Sequence, residues 1–481
     1  MRLLIPLALA ASLGACSLVP PLERPAPPVP AQFPQLAGAP SVAAAPLPGW
    51  RRMFGDPRLQ RLIEQALEQN RDLRLAALNV EATQAMFRIQ SSARLPSVAL
   101  EANQTRERAL AADSSERSSR TVSKQVGVNL GVSAFELDLF GRVRALSDAA
   151  LARYFASEEG RDAAQVALVG AVADAYFAQQ LAAEQQQLAE QTLADWEQSL
   201  ALARLLKQAD QNSALDVAQA EGQVASAQAD LEARRRARAQ ADNALQLLVG
   251  GELPADLPPA LSLAQQPLLG RLPAGLPSEL LLARPDLRQA EQVLEAANAD
   301  VGAARAAFFP QISLTASFGY ASTSLDGLFD PSRQVWRFAP QLTVPLFQGG
   351  RLRAELRLAK VRKSEAVAQY ERAIQIAFRE VADALAGTAT FDRQIDAQLQ
   401  AVSAAERRLY LSGQRYRAGL DGRLELLDAQ RQLYAARQAL LELRREKTSN
   451  AVALYKALGG GLNAQDGDAP VSLVSAFAGG G

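Results

Sequence analysis

Two hydrophobic periods divide this chain. The first is strict alternation. Val98 and Leu100 follow Pro96. Val126, Val128, Leu130 and Val132 alternate with Gln125, Gly127, Asn129 and Gly131. Ile312, Leu314, Ala316, Phe318 and Tyr320 alternate with Gln311, Ser313, Thr315, Ser317 and Gly319, and Trp336, Phe338, Leu342 and Val344 with Arg337, Gln341 and Thr343. Period two with one apolar face predicts four strands, each with one side buried or in lipid. The second pattern is helical. Residues 142–206 contain no proline and only Gly160 and Gly170, and Ala, Leu, Gln, Glu and Arg dominate. Residues 351–417 repeat the pattern, with Gly387 and Gly413. Each stretch predicts a rod of about 100 Å at 1.5 Å per residue. Shorter helices are predicted over 57–94, 212–248, 277–308 and 424–458, each about 50 Å long.

The pattern is written twice, 209 residues apart. Gly141-Arg142 and Ala145 return as Gly350-Arg351 and Ala354, and Val172-Ala173-Asp174-Ala175 as Val381-Ala382-Asp383-Ala384. The ladder Val217, Val224, Leu231 and Leu245 returns as Leu426, Leu433, Leu440 and Leu454. A seven-residue ladder keeps one seam facing a neighbouring helix, so rods this long pack as coiled coils. Two continuous rods and two composite ones, each made of two short helices end to end, form an antiparallel wall.

The apolar strand stretches are about ten residues long, the length of a tilted strand across an outer membrane. Phe318, Tyr320, Trp336 and Phe338 fall near the strand ends by the turn, where membrane-interface aromatics belong. The charged, serine-rich stretch 106–123 reads as an external loop. A soluble sandwich needs a second sheet, and the sequence offers none. Four strands cannot close a barrel, and an open edge in lipid is excluded, so copies must associate. Closure needs a multiple of four strands, at least eight; these patterns do not choose among dimer, trimer and tetramer. A coiled-coil scaffold without a lumen is the structural alternative.

Composition narrows the function. Formal net charge is zero and there is no histidine. Bulk charge gives no argument for nucleic acid, and the commonest general base and zinc ligand are missing. No nucleophile–base pair, phosphate loop or metal cluster emerges, so neither enzyme nor cofactor nor resident metal is expected. The single cysteine, Cys16, follows Arg2, an apolar run over 3–13 and Leu13-Gly14-Ala15. The run is too short to span a bilayer and reads as a signal peptide over 1–15. Residues 20–48 are rich in Pro and Ala and predict an extended arm.

Leu13-Gly14-Ala15-Cys16 resembles the lipobox of bacterial lipoproteins, which implies cleavage before Cys16, its acylation (a palmitate-type anchor), and outer-membrane sorting. Phe135-Glu136-Leu137-Asp138-Leu139-Phe140-Gly141-Arg142, Ala283-Arg284-Pro285-Asp286, Ala303-Ala304-Arg305-Ala306-Ala307-Phe308-Phe309-Pro310, Tyr416-Arg417-Ala418-Gly419-Leu420 and Leu427-Asp428-Ala429-Gln430 stand in the order of a known family. The chain resembles the TolC-like outer-membrane efflux proteins, most closely the lipoprotein branch that contains OprM. The resemblance implies an internally duplicated α+β membrane protein: a homotrimer with a twelve-stranded β-barrel continuous with a coiled-coil α-barrel projecting into the periplasm. It implies an exit duct for small amphiphilic compounds, partnered by a periplasmic adaptor and an inner-membrane pump of the resistance-nodulation-division class. Protein secretion and metal-ion efflux are the alternatives within transport, and three methionines speak against copper.

The expected organisation is an acylated arm over 16–56, a first repeat over 57–249, an equatorial connector over 250–276, a second repeat over 277–458 and an equatorial tail over 459–481. The helix turns at 206–212 and 417–423 are farthest from the strands. Glu425 and Asp428, three apart, share a helical face, and converging copies would hold cations such as Arg415 or ligate a metal ion when closed. The resemblance places Tyr416, Glu425 and Asp428 at the periplasmic gate. Asp216, the repeat mate of Glu425, is a further gate candidate, and Gly419 and Leu420 are the expected adaptor-docking tip. Lys207-Gln208-Ala209-Asp210 departs from the family pattern at the first tip.

Overall fold

A computed structural model describes residues 17–30, 33, 48–112, 118–211, 213–268 and 284–465. Cys16, the signal peptide and the C-terminal tail beyond residue 465 lie outside the described residues, as does 269–283 of the connector and following helix. The helices are α1 (Trp50–Met53), α2 (Pro57–Gln69), α3 (Arg71–Ser92), α4 (Arg142–Gln208), α5 (Ala214–Val249), α6 (Pro285–Ala306), α7 (Arg351–Arg417) and α8 (Arg423–Ala457). The strands are β1 (Val98–Ala112), β2 (Ser118–Leu137), β3 (Gln311–Ser322) and β4 (Gln334–Thr343). The chain divides into two compact units. One comprises Met1–Ala26, Asn79–Ser157 and Gln289–Tyr370; the other comprises Pro27–Leu78, Glu158–Arg288 and Glu371–Gly481.

The first unit carries one antiparallel sheet in the order β1-β2-β3-β4. Its register gathers the apolar positions on one face, with Leu100 opposite Leu130, Leu130 opposite Phe318, and Phe318 opposite Trp336. A bulge between Val132 and Phe135 keeps this face continuous. It shifts the parity so that Phe135 and Leu137 join the even-numbered apolar positions, as an inserted residue does. Ala134 takes a left-handed φ of 50° there, and its N–H donates to Thr315 Oγ1 at 3.2 Å. Leu100, Trp336, Phe338 and Leu342 are exposed, whereas Tyr320 is half-buried against Phe329. Among the described residues, β1 and β4 each pair along one side only.

Two strand expectations change. Residues 106–112 and 118–123 of the expected external loop are ladder, with Arg106 paired to Lys124, and 113–117 lie outside the described residues. Charge and serine content imitate a loop there because the strands outrun their apolar band. Val344 falls past the end of β4.

At the strand–helix junction, Glu136 takes both arms of the Arg142 guanidinium and Arg144 N–H donates to Asp138 at 2.7 Å. Phe140 stacks on Phe309, centroids 4.9 Å apart. Residues 18–24 run beside α6 with Val19 against Gly302, Asn298 donating to the Pro20 carbonyl at 2.8 Å, and Arg24 paired to Glu291 at 2.6 Å.

The second unit is helical. Its core joins Trp50, Met53 and Phe54 to Leu59, Leu62 and Ile63 of α2, Val172, Tyr176 and Phe177 of α4, Leu245 of α5 and Tyr455 of α8. The end of the expected extended arm is therefore core. Phe33 is also buried, stacked 4.5 Å from Phe378. Isolated apolar residues between prolines carry no period, so the sequence pattern did not show this. Helix α4 is long and apolar enough to be weighed as a membrane span, but Val169, Val172, Ala173, Tyr176 and Phe177 from that stretch are core.

The helix expected over 57–94 breaks at Asn70, whose ψ is 130°. Its Oδ1 caps α3 by accepting from Leu73 N–H at 3.0 Å, and its Nδ2 donates to the Leu248 carbonyl at 2.8 Å. An asparagine that satisfies both a helix start and a helix end stabilises a break that helix propensity alone conceals. Asp56 caps α2 and, buried, accepts from Tyr176 OH at 2.6 Å and Gln266 at 3.2 Å. Arg284 is buried between Asp286 at 2.7 Å and Glu380 at 2.8 Å, tying the start of α6 to α7. The ladder residues Val217, Val224, Leu231, Leu433, Leu440 and Leu454 are all buried.

Candidate functional site

The two helix turns of the second unit solve the same problem with different residues. After α7, Leu420 N–H donates to the Arg415 carbonyl and Gly419 N–H to Tyr416, both at 3.0 Å, with Gly419 at φ 70°. After α4, Gln211 N–H donates to Leu206 at 2.9 Å and Asp210 N–H to Lys207 at 3.0 Å, with Asp210 at φ 54°. This is a left-handed helix stop in both cases. Asp210 stands 209 residues before Gly419, so the departure in sequence preserves the turn. Leu420 is exposed.

Asp216 belongs to a capping box. Its N–H donates to Ser213 Oγ at 3.1 Å and its carboxylate accepts from Ser213 N–H at 3.2 Å, starting α5. Two orphan donors are satisfied at once.

Across the turn, Arg415 and Asp421 stand equidistant from Ala418, as do Arg408 and Asp428. Arg415 meets Asp421 at 2.5 and 2.7 Å, and this hydrogen-bonded partner holds the Asp421 carboxyl below its ordinary range. Arg408 meets Asp428 at 2.8 Å and Glu425 at 3.4 Å. Gln432 donates to Asp428 at 3.1 Å. The cation shared by the two candidate gate carboxylates is therefore Arg408, while Arg415 staples the turn.

Tyr416 lines a cavity of ≈ 510 Å³ with Trp196, Tyr410, Arg423 and Tyr434. Arg423 is buried and donates to the carbonyl and hydroxyl of Ser199 on α4, both at 3.1 Å. Tyr434 packs its ring edge on Trp196 and donates its hydroxyl to Asp230 on α5. Burial, then the Asp230 hydrogen bond, pushes the Tyr434 phenol up to about 12. Arg408, Asp421 and Arg423 escaped sequence reasoning; the antiparallel register about Ala418 is the signal that finds the first two. Among the described residues no group of three acidic, His or Cys side chains forms a metal-holding cluster. The arrangement can hold or release a helix hairpin by charge pairing.

A family model described as "Outer membrane efflux protein" matches residues 62–251 and again 276–460, reproducing the duplication. The solvent efflux pump outer membrane protein SrpC of Pseudomonas putida is 47% identical over 455 residues, covering 93% of this chain and 96% of that protein. The outer membrane protein OprJ of Pseudomonas aeruginosa is 43% identical, covering 95% of each. Among solved structures, the open state of the Neisseria gonorrhoeae MtrE outer membrane channel superposes with TM-score 0.83 at 41% identity, over 94% of this chain and 99% of that one.

Proposed function

Because the chain belongs to the outer membrane efflux protein family, a family of outer-membrane channels and not of enzymes, we propose that three copies of it form the exit duct of a tripartite pump. One observation carries the reading: an apolar face runs across all four strands while, among the described residues, the outer edges of β1 and β4 are unpaired. Unpaired backbone in hydrocarbon costs several kcal/mol per group, so such a sheet is stable there only when copies close it. Three copies give twelve strands. The bore this encloses is a duct, which sets the lumen-free scaffold aside.

The duct receives its cargo from a periplasmic adaptor and an inner-membrane resistance-nodulation-division pump. The adaptor docks at Gly419 and Leu420, and acylated Cys16 anchors the arm in outer-membrane lipid. The cargo is small amphiphilic compounds; SrpC is named for solvent efflux, and related Pseudomonas putida proteins are named for toluene and antibiotic efflux. At the periplasmic end, Glu425 and Asp428 from each copy, with Tyr416, form the constriction. Arg408 holds these carboxylates in the closed state, Arg415 keeps the turn rigid, and Asp216 fixes the start of the neighbouring helix. Planar-bilayer conductance of the purified full-length protein tests this. Glu425→Ala with Asp428→Ala raises single-channel conductance over the native protein; unchanged conductance removes the carboxylate gate, and no conductance from either protein removes the duct.

A further inference from the structure

We propose that the outward face of the β1–β2 hairpin carries a binding site for the phosphate groups of a phosphorylated glycolipid headgroup, formed by Arg106, Arg108 and Lys124. The proposal rests on the sheet spanning the outer membrane. The register fixes the face. Even-numbered residues of β1 and of β2 before the bulge share one side: Val98 opposite Val132, Leu100 opposite Leu130, Ala102 opposite Val128, Gln104 opposite Val126. The next two rungs are Arg106 opposite Lys124 and Arg108 opposite Val122. All three basic residues are exposed on the side that faces lipid lower down. Glu107, the nearest acid in sequence, is at an odd position and belongs to the other face.

Height places them at the membrane boundary. The apolar face runs from Ile312 to Ser322, about 34 Å along a strand and about 24 Å once tilted by 45°, the height of an outer-membrane apolar band. The Arg106–Lys124 rung lies one step of about 7 Å further along the strand, at headgroup level. This is the end with the strand hairpins, away from the helices, and so the external leaflet.

Energetics point to an anion. Like charges directly opposite each other on a strand pair destabilise it, and a third cation follows diagonally at about 7–8 Å. Among the described residues no carboxylate pairs with any of the three. A phosphate accepting charge-assisted hydrogen bonds from Arg106 and Lys124 together, with Arg108 on its upper side, turns the repulsion into binding. Acyl chains attached to the same headgroup then lie down the apolar face, over Leu100 and Leu130. A basic residue at an anionic membrane surface contributes about 1 kcal/mol, so three correspond to about a hundredfold in affinity.

The test uses full-length protein in detergent, titrated with bisphosphorylated lipid A, its dephosphorylated form and inorganic phosphate, with bound lipid counted by native mass spectrometry. The native protein is expected to hold the bisphosphorylated lipid about a hundredfold more tightly than the dephosphorylated one. R106Q/R108Q/K124Q is expected to abolish that preference while conductance and the heat-modifiable oligomer persist. Should the triple variant fail to assemble, K124Q alone is expected to reduce the preference severalfold. Equal binding of both lipids by the native protein overturns the site, as does an undiminished preference in the assembled triple variant or in K124Q. So does saturation by inorganic phosphate without lipid preference. Loss of oligomer and conductance in the native protein would instead strike at the membrane sheet itself.

Discussion

Replacing Arg408 by glutamine isolates the charge pairing at the candidate gate. The native guanidinium reaches Asp428 at 2.8 Å and Glu425 at 3.4 Å, and side-chain exposure at the three groups is 36%, 41% and 57%. Exposure of a third or more means solvent screens the pairs, so each contributes toward the lower end of the surface range, together about 1 kcal/mol. Removing the cation also leaves two carboxylates three residues apart on one helix face, an added cost of about 0.3 kcal/mol. Over the three copies of the proposed trimer the closed state loses about 4 kcal/mol, close to a thousandfold in the closed-to-open ratio at 1.4 kcal/mol per tenfold. Single-channel recording in planar bilayers reads this as a large rise in open probability for Arg408→Gln at 0.1 M salt. Arg408→Lys keeps the charge but loses the fork, and falls between the two. In 1 M salt the Debye length shrinks to about 3 Å, and native and variant traces converge. Identical open probability at 0.1 M salt, or a difference that survives unchanged at 1 M, refutes the reasoning.

Asn70→Ala removes the α3 cap and strands the Leu248 carbonyl; a loss of about 2 kcal/mol is expected, read as a lower dissociation temperature of the oligomer on heating. Tyr434 titrates near 10 when unfolded and about 12 when folded, so the folded state holds its proton more tightly. That stability is complete below pH 10 and declines as pH rises through 12; Tyr434→Phe flattens this part of an alkaline melting profile, and an unchanged slope contradicts it. A Cβ at position 302 would stand 2.4 Å from Val19 Cγ2 and 2.9 Å from its Cα. Gly302→Ala therefore lifts the arm off α6, and limited proteolysis within residues 17–30 accelerates.

Long uniform elements were legible in the sequence and local exceptions were not. Helices α4 and α7 follow from uninterrupted helix formers, and the apolar sheet face from strict alternation. The bulge at Ala134 was hidden because one inserted residue resembles noise in a period-two pattern, although Phe135 and Leu137 recorded the parity change. Asn70 looked helical because its partner, Leu248, is distant in sequence. Trp50, Met53 and Phe54 looked like arm because a core built from scattered residues leaves no period. At the candidate gate, Glu425 and Asp428 stood out as neighbours on one helix face. Arg408 did not, since its closeness to them exists only after the chain reverses at Gly419.

The free strand edges of β1 and β4 must be closed by other copies of the chain. Cysteines placed along the free edge of β1, from Val98 to Ala102, and along β4, from Trp336 to Pro340, test this as a panel of registers under oxidising conditions. The native chain contributes only Cys16 to the background. At least one register is expected to give an intermolecular ladder that stops at three subunits in denaturing gels. Absence of intermolecular product from every register, with the protein migrating as a single subunit, contradicts the closed barrel.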